Sequence, residues 1–367
     1  MLSYLPVLGV SALVAYVATP LVRRLAVRIG AIDRPSDRKV HPKPTPTLGG
    51  LAMWVACLAG LAVAYLMPAY DGMFRHSSEP LGVILAGTVI VALGSYDDLR
   101  GIAVPAKVAG QVLAAGLLIL SGVQLLYFWL PGTGVLSLGQ DLAVPLTVIW
   151  VVAMINAVNL IDGLDGLAAG VAAIAAAAFF AYVLSSPGIT TGPSPAGLFS
   201  VVVAGAALGF LPHNFNPAKI FMGDSGSMLL GLVLAAATIS GVGRTSESPT
   251  SADLTALAIP VLIPLLVLAV PFTDVIWAIF RRLRRRRPVY RPDKEHIHHR
   301  LLDIGHSHRQ AVLLMYLWSA LIASGALAIT FIQRRAVVLL VIGLIAVVLV
   351  GTAVPRMRRT NGRIRAS

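Results

Sequence analysis

Charge is scarce in this chain: 12% of its 367 residues are Asp, Glu, Lys or Arg, while 57% are hydrophobic. A soluble domain carries roughly 25% charged residues, so an ordinary water-soluble globule is excluded. Cysteine is nearly absent. Cys57 stands alone inside an apolar run, so no intramolecular disulfide can staple the fold. Acids are also few, 16 against 29 basic residues, for a net charge of +13. No polar stretch is long enough to form a separate soluble domain of ordinary size.

What is abundant is apolar sequence in runs near the spanning length of about 20 residues. Bounded by charge, Pro or Gly, eleven spans are expected, at 4–22, 48–67, 81–96, 105–122, 142–158, 167–185, 198–212, 227–241, 255–279, 311–332 and 336–354. The fold class is therefore an all-α polytopic membrane protein with about 11 transmembrane helices. Residues 1–354 are expected to form a single integral membrane domain, and 355–367 a basic cytoplasmic tail. The first span differs from a cleaved signal peptide: Arg23, Arg24 and Arg28 follow it and nothing basic precedes it. That favours a retained helix with its N-terminus outside.

The basic residues test this orientation. With the N-terminus outside, the outer loops hold Arg75, Arg244, Arg334 and Arg335, which leaves 25 of the 29 inside. The positive charge is thus a topology signal with attraction to anionic lipid and anionic substrates as its second consequence, and nucleic-acid binding is a poor reading of it. The acids are as telling. Asp33, Asp37, Asp97, Asp98, Asp162, Asp165, Asp224, Asp293, Glu295 and Asp303 all fall on the cytoplasmic side, whereas Asp71, Glu79, Asp141, Glu247 and Asp253 are scattered outside.

Five cytoplasmic segments carry chemistry. Asp33–Gly50 sets cations, Lys39 and His41 among them, on a proline-stiffened loop that ends in Gly49-Gly50 at a helix start, where unpaired amides are expected to face phosphate. Gly94–Gly101 contains Asp97-Asp98, adjacent carboxylates that need a cation or metal nearby unless one rises in pKa to become a proton acceptor. In Asn156–Leu167, Asn159, Asp162 and Asp165 share a face if the segment is partly helical. Capping explains one such residue, not four polar residues in lipid-like surroundings. In Pro212–Ser227, Asp224 is flanked by Gly on a loop entering a helix, suited to a hard cation bridging to phosphate oxygens. Arg281–Arg309 joins a basic run to His296-Ile297-His298-His299-Arg300. Without cysteine or an HExxH pattern, these histidines suit phosphate better than zinc.

Together the segments resemble the polyprenyl-phosphate N-acetylhexosamine-1-phosphate transferases of glycosyltransferase family 4. The likeness lies in the RKxH and PTxGG elements, Asp97-Asp98 with Lys107 and Gln111 following as KxxxQ, NxxNxxDGxDGL, FMGDSGS and HIHHRL, in family order from about residue 33 to 305. The resemblance implies transfer of a sugar 1-phosphate from a UDP-sugar donor to a polyprenyl-phosphate acceptor at the cytoplasmic membrane face, with Mg²⁺ as cofactor and Mn²⁺ able to substitute. It implies that Asp224 is the principal Mg²⁺ ligand, with Asp97 and Asp98 as further ligand candidates, and that Asp97 or Asp98 deprotonates or orients the lipid phosphate. Asn156, Asn159, Asp162, Leu164 and Asp165 would shape the nucleotide site, Asp162 counting among the catalytic acids. Phe221 would stack on uracil and Asn214 line the cavity. Lys39, His41, Lys107 and Arg300 would bind substrate, and His296, His298 and His299 would hold diphosphate or lipid phosphate.

The spaced histidine motif resembles the UDP-N-acetylglucosamine branch, whose product would be polyprenyl-diphosphate-N-acetylglucosamine with UMP, at the first membrane step of cell-envelope glycan synthesis. Thr45–Gly50 is closer to the muramoyl-pentapeptide branch, which stays the alternative. The other class of reading is a secondary transporter, but transporters place acids near the midplane, where Asp274 is the main one here, and no duplicated halves are visible. The expected partners are the two substrates and membrane lipids, with no nucleic acid and with a homodimer as a further candidate.

Overall fold

The computed structural model describes residues 2–35, 43–130, 134–185, 192–242 and 305–331. Its helices, in chain order, are α1 (Tyr4–Ile29), α2 (Gly49–Leu66), the short α3 (Asp71–His76), α4 (Glu79–Arg100), α5 (Val104–Leu120), α6 (Gln140–Ile161), α7 (Leu167–Ser185), α8 (Pro195–Asn214), α9 (Gly223–Val242) and α10 (His308–Phe331). Among the described residues, eight are long and apolar enough to cross a membrane, and α5 is a shorter apolar helix. These nine overlie nine of the eleven expected spans; the other two, 255–279 and 336–354, lie outside the described residues. The protein is an all-α polytopic membrane protein.

Helix ends follow local chemistry. Ser194 caps α8, its Oγ accepting from the Gly197 amide at 3.2 Å, and Pro195 fills the first position, where a missing N–H does no harm. α1 runs seven residues beyond its expected end, to Ile29, because nothing before Gly30 stops it. Gly30 at φ 75° turns the chain, and the Ala31 amide closes on Ala26 O at 2.8 Å. Two small antiparallel pairs were not foreseen, β1 (Ile32–Asp33) with β2 (Thr45–Pro46) and β3 (Tyr127–Leu130) with β4 (Gly134–Ser137). Two to four residues are too few to show a period of two, so such strands leave no mark in hydropathy.

α8 lies at the centre, packed against α1, α2, α7 and α9. Its Gly205 and Gly209, one turn apart, face α1. A Cβ on Gly205 would lie 2.7 Å from Leu8 O, and one on Gly209 would collide with Ala12 O, so the helices touch backbone to backbone. α1 itself is mostly exposed along its length, as a lipid-facing helix should be, with Leu13, Tyr16, Val17 and Leu21 outward. The packing brings the end of α4, the start of α5, the end of α6, the end of α8 and the starts of α2, α9 and α10 to one end of the bundle.

Candidate active site

α9 begins at Gly223, and its first amides are held by a side chain from another helix. Asp98, at the end of α4, accepts from the Asp224 amide at 2.9 Å through Oδ1, and from the Ser225 amide at 3.3 Å and the Ser225 hydroxyl at 3.0 Å through Oδ2. This is an N-cap supplied in trans: a carboxylate at the positive end of a helix, taking donors that no intrahelical carbonyl can reach. Gly223 makes room for it, since a Cβ there would strike the Asp98 carboxylate, and φ of +69° disfavours any side chain.

Asp97 faces differently. Its Oδ2 lies 2.8 Å from Lys107 Nζ, its Oδ1 accepts from the Ile102 amide at 2.6 Å, and Lys107 also pairs with Asp224 Oδ2. One ammonium therefore bridges carboxylates from α4 and α9. The KxxxQ spacing acquires a reason. Gln111, fully buried one turn after Lys107, accepts from Asn156 Nδ2 at 2.7 Å and reaches Met228 Sδ at 3.5 Å, which locks the α5 face that presents Lys107.

The two Asn of α6 join neighbouring helices. Asn156 binds Gln111 of α5, and Asn159 Oδ1 accepts from Ser227 Oγ of α9 at 2.8 Å. Asp162 and Asp165 do not share a helical face as expected, because α6 stops at Ile161 and α7 starts at Leu167. Both stand on the turn between. The Asp165 carboxylate accepts from Asn216 Nδ2 at 2.9 Å and the Ala218 amide at 3.0 Å, which ties it to the loop after α8. Asp162 is pushed well above the ordinary carboxylate range by burial first, then by the negative charges of Asp224, Asp98 and Asp165.

Gly49-Gly50, Asn214 and Leu164 all meet other parts of the protein. The Gly49 and Gly50 amides do not face a phosphate: they donate to Phe221 O and Met222 O, both at 2.9 Å, while the Phe221 amide donates to Pro46 O at 2.8 Å. This ladder docks the FMGDSGS segment onto PTLGG, so the glycines serve close backbone approach. Asn214 is 1% exposed and has its amide divided between Ile220 O (3.0 Å) and the Gly166 amide (3.1 Å), so it braces two loops. Leu164, 3% exposed, turns into the hydrophobic core. Phe221 anchors the loop through its main chain and its ring is partly buried. Lys39, His41, His296, His298, His299 and Arg300 lie outside the described residues.

Sequence reading gave no role to His308, Arg309 and Tyr316 of α10, although the first two close the Arg281–Arg309 segment. His308 Nε2 accepts from the Asp165 amide at 3.1 Å, Arg309 Nε donates to Asn216 O at 2.9 Å, and the Tyr316 hydroxyl donates to Gly166 O. A local signal was present in Ser307-His308-Arg309-Gln310, a capping box in which the Ser307 amide donates to Gln310 Oε1 at 2.9 Å and the Gln310 amide donates to Ser307 Oγ at 3.4 Å.

Five carboxylates thus gather at one end of the bundle with Lys107 between two of them. Among the described residues no three acids or histidines converge as a ready-made metal site, and the Lys107 ammonium stands between Asp97 and Asp224. Two carboxylates, Asp97 and Asp224, flank one position, and Mg²⁺ sites typically take one or two carboxylates and leave the remaining positions to water and substrate phosphate.

Comparison with known proteins gives the family. The sequence profile described as Glycosyl transferase family 4 matches residues 80–242. A decaprenyl-phosphate N-acetylglucosaminephosphotransferase of Mycobacterium tuberculosis is 44% identical over 355 residues, covering 95% of this chain and 88% of the relative. A protein of Bacillus subtilis named as a probable undecaprenyl-phosphate N-acetylglucosaminyl 1-phosphate transferase is 35% identical over 84% of this chain and 80% of its own length. An undecaprenyl-phosphate alpha-N-acetylglucosaminyl 1-phosphate transferase of Escherichia coli O157:H7 is 31% identical over 94% and 90%. With such relatives aligned along nearly its whole length, the chain belongs to glycosyl transferase family 4.

Proposed function

We propose that this protein transfers N-acetylglucosamine 1-phosphate from UDP-N-acetylglucosamine to a polyprenyl phosphate, releasing UMP, as the first membrane step of a cell-envelope glycan. The observation that carries the reading is the Asp97–Lys107–Asp224 bridge beside Asp162, in a chain 44% identical to a decaprenyl-phosphate N-acetylglucosaminephosphotransferase. In this reaction an acceptor phosphate oxygen forms a bond to the β-phosphorus of the donor, and the bond from that phosphorus to the bridging oxygen breaks, leaving UMP. Two anions must meet, so positioning and charge stabilisation are the main requirements.

Bound Mg²⁺ would polarise the diphosphate and neutralise charge on the leaving UMP. Asp224 is the favoured ligand for it, with Asp97 as the second. Lys107, released from either carboxylate, has the reach and charge to contact a phosphate oxygen. Asp98 holds Asp224 in place, which leaves Asp97 as the member of the pair to meet the acceptor. Asp162, already biased toward the protonated form, is suited to exchange a proton with the acceptor phosphate, whose second pKa lies near 6. The N-terminus is assigned to the outside and the site to the cytoplasm on the 25-to-4 distribution of basic residues.

Purified protein given UDP-N-acetylglucosamine, polyprenyl phosphate and Mg²⁺ should release UMP, and chelation should abolish the release. Asp224→Asn should lower turnover by about 100-fold or more while folded yield is kept, because an amide oxygen is a weaker ligand for a hard cation. UMP release with a UDP-muramoyl-pentapeptide donor and none with UDP-N-acetylglucosamine would transfer the assignment to the muramoyl branch. Absence of UMP release with either donor would refute the reading.

A further inference from the structure

The turn that carries Asp162 and Asp165 is held from outside by α10, a helix of which the five cytoplasmic segments include only the first two residues. Its Asp165 amide, Gly166 amide and Gly166 carbonyl meet His308 Nε2, Asn214 Oδ1 and the Tyr316 hydroxyl respectively. The loop on the other side of Asp165 is held by the same helix, through Arg309 Nε on Asn216 O, while the Asn216 side chain donates to the Asp165 carboxylate. These contacts form a closed circuit of α10, turn and loop.

Small residues allow the circuit to close. Gly170 lies one turn into α7, and a Cβ on it would collide with the Tyr316 ring and hydroxyl, so the tyrosine reaches Gly166 across a notch that only glycine leaves. The His308 bond has a direction as well. Nε2 accepts from an amide, so the imidazole must be unprotonated at that nitrogen, a requirement that glutamine can also meet through Oε1.

We propose that the N-terminal part of α10 belongs to the active-site frame: His308, Arg309 and Tyr316 are positioning residues that fix the Asp162–Gly166 turn against the Asn214–Ala218 loop, and thereby fix Asp162 relative to Asp224. The effect on turnover rests on the transfer reaction proposed above; the effect on the turn does not. A displacement of the order of 1 Å in a catalytic carboxylate lowers rates by up to about 100-fold. A purely packing role for α10 would instead lower folded yield without a selective loss of turnover.

The test uses the full chain in detergent or nanodiscs, with two readouts. In UMP release at saturating donor and acceptor, His308→Phe should lower kcat by about tenfold or more with both KM values within about threefold, and His308→Gln should restore most of the rate. Tyr316→Phe, which keeps the ring and removes one hydroxyl, should lower kcat several-fold, and should have no further effect in a Gly170→Ala background, where the hydroxyl is already displaced. In hydrogen exchange, peptides spanning 161–167 should exchange faster in His308→Phe and Tyr316→Phe and return toward wild type in His308→Gln. Unchanged exchange in both substituted proteins would overturn the proposal whether or not UMP is released. Faster exchange with unaltered kcat would overturn the link from turn to chemistry. A wild-type protein that releases no UMP, with the exchange pattern as expected, would count against the transfer reading alone.

Discussion

Replacing Asp98 by Asn would put an NH₂ group among three donors, the amides of Asp224 and Ser225 and the Ser225 hydroxyl, where a carboxylate now accepts from all of them. At least one donor would then lack an acceptor, at a cost of about 1–3 kcal/mol in folding stability, and the start of α9 would shift with it. Asp97→Asn should differ: it loses the Lys107 pair but leaves the α9 cap intact, so stability should change little while turnover falls. Thermal unfolding of both proteins beside their UMP release separates the two roles; equal destabilisation by the two changes would refute the division. Asp162 permits a further test. Its folded-state pKa is raised above the ordinary 3.8, so the folded chain keeps this proton longer than the unfolded chain does. Its contribution to stability is therefore most favourable below pH 3.8 and is lost as pH rises toward the folded value. In metal-free protein Asp162→Asn should gain stability at neutral pH relative to wild type and flatten that slope, and a variant no more stable than wild type would show that the charge is not frustrated. All five carboxylates were legible in the sequence because acids are rare in it. Their separate roles were not, because the donors that distinguish Asp98 from Asp97 come from residues some 126 positions away.

At the scale of elements, span positions were legible because lipid imposes long apolar runs and punctuation by charge, Pro and Gly ends them. Ends were less so, and α1 passed its expected limit carrying three arginines, since basic residues near a helix end favour the helix dipole and do not break the helix. The start of α10 was hidden for another reason: His308 and Arg309 close a segment read for its basic run and histidine cluster, and Tyr316 lies inside an apolar span, which hydropathy reads as membrane helix whatever the side chains touch. Helix contacts carry their own prediction. Gly209 meets Ala12 O so closely that Gly209→Ala must push α1 from α8, at about 1–3 kcal/mol for overpacking. The same change at Gly116, which has open space around it, should be nearly silent. A folded yield or melting temperature in Gly209→Ala equal to that of Gly116→Ala would mean that the two helices are not in backbone contact.

For the whole molecule, the unequal distribution of charge sets the sidedness on which the proposed reaction depends. The carboxylate cluster lies at the end of the bundle where α4 finishes, and α3 lies at the other end, between α2 and α4. Cytoplasmic placement of the site requires α3 to face outward. The chain is well suited to a thiol test because its single native cysteine, Cys57, is 1% exposed and should stay silent. Gly72 of α3 is exposed with nothing within 4 Å of an added Cβ, and Arg100 at the end of α4 is exposed too. Ser225 would be a poor reporter, being fully buried with its hydroxyl on Asp98. In intact cells, Gly72→Cys should react with a membrane-impermeant maleimide, and Arg100→Cys should react only after the membrane is permeabilised. The reverse pattern would place the carboxylates outside, away from a cytoplasmic UDP-sugar, and would overturn both the orientation and the route by which the donor reaches the site.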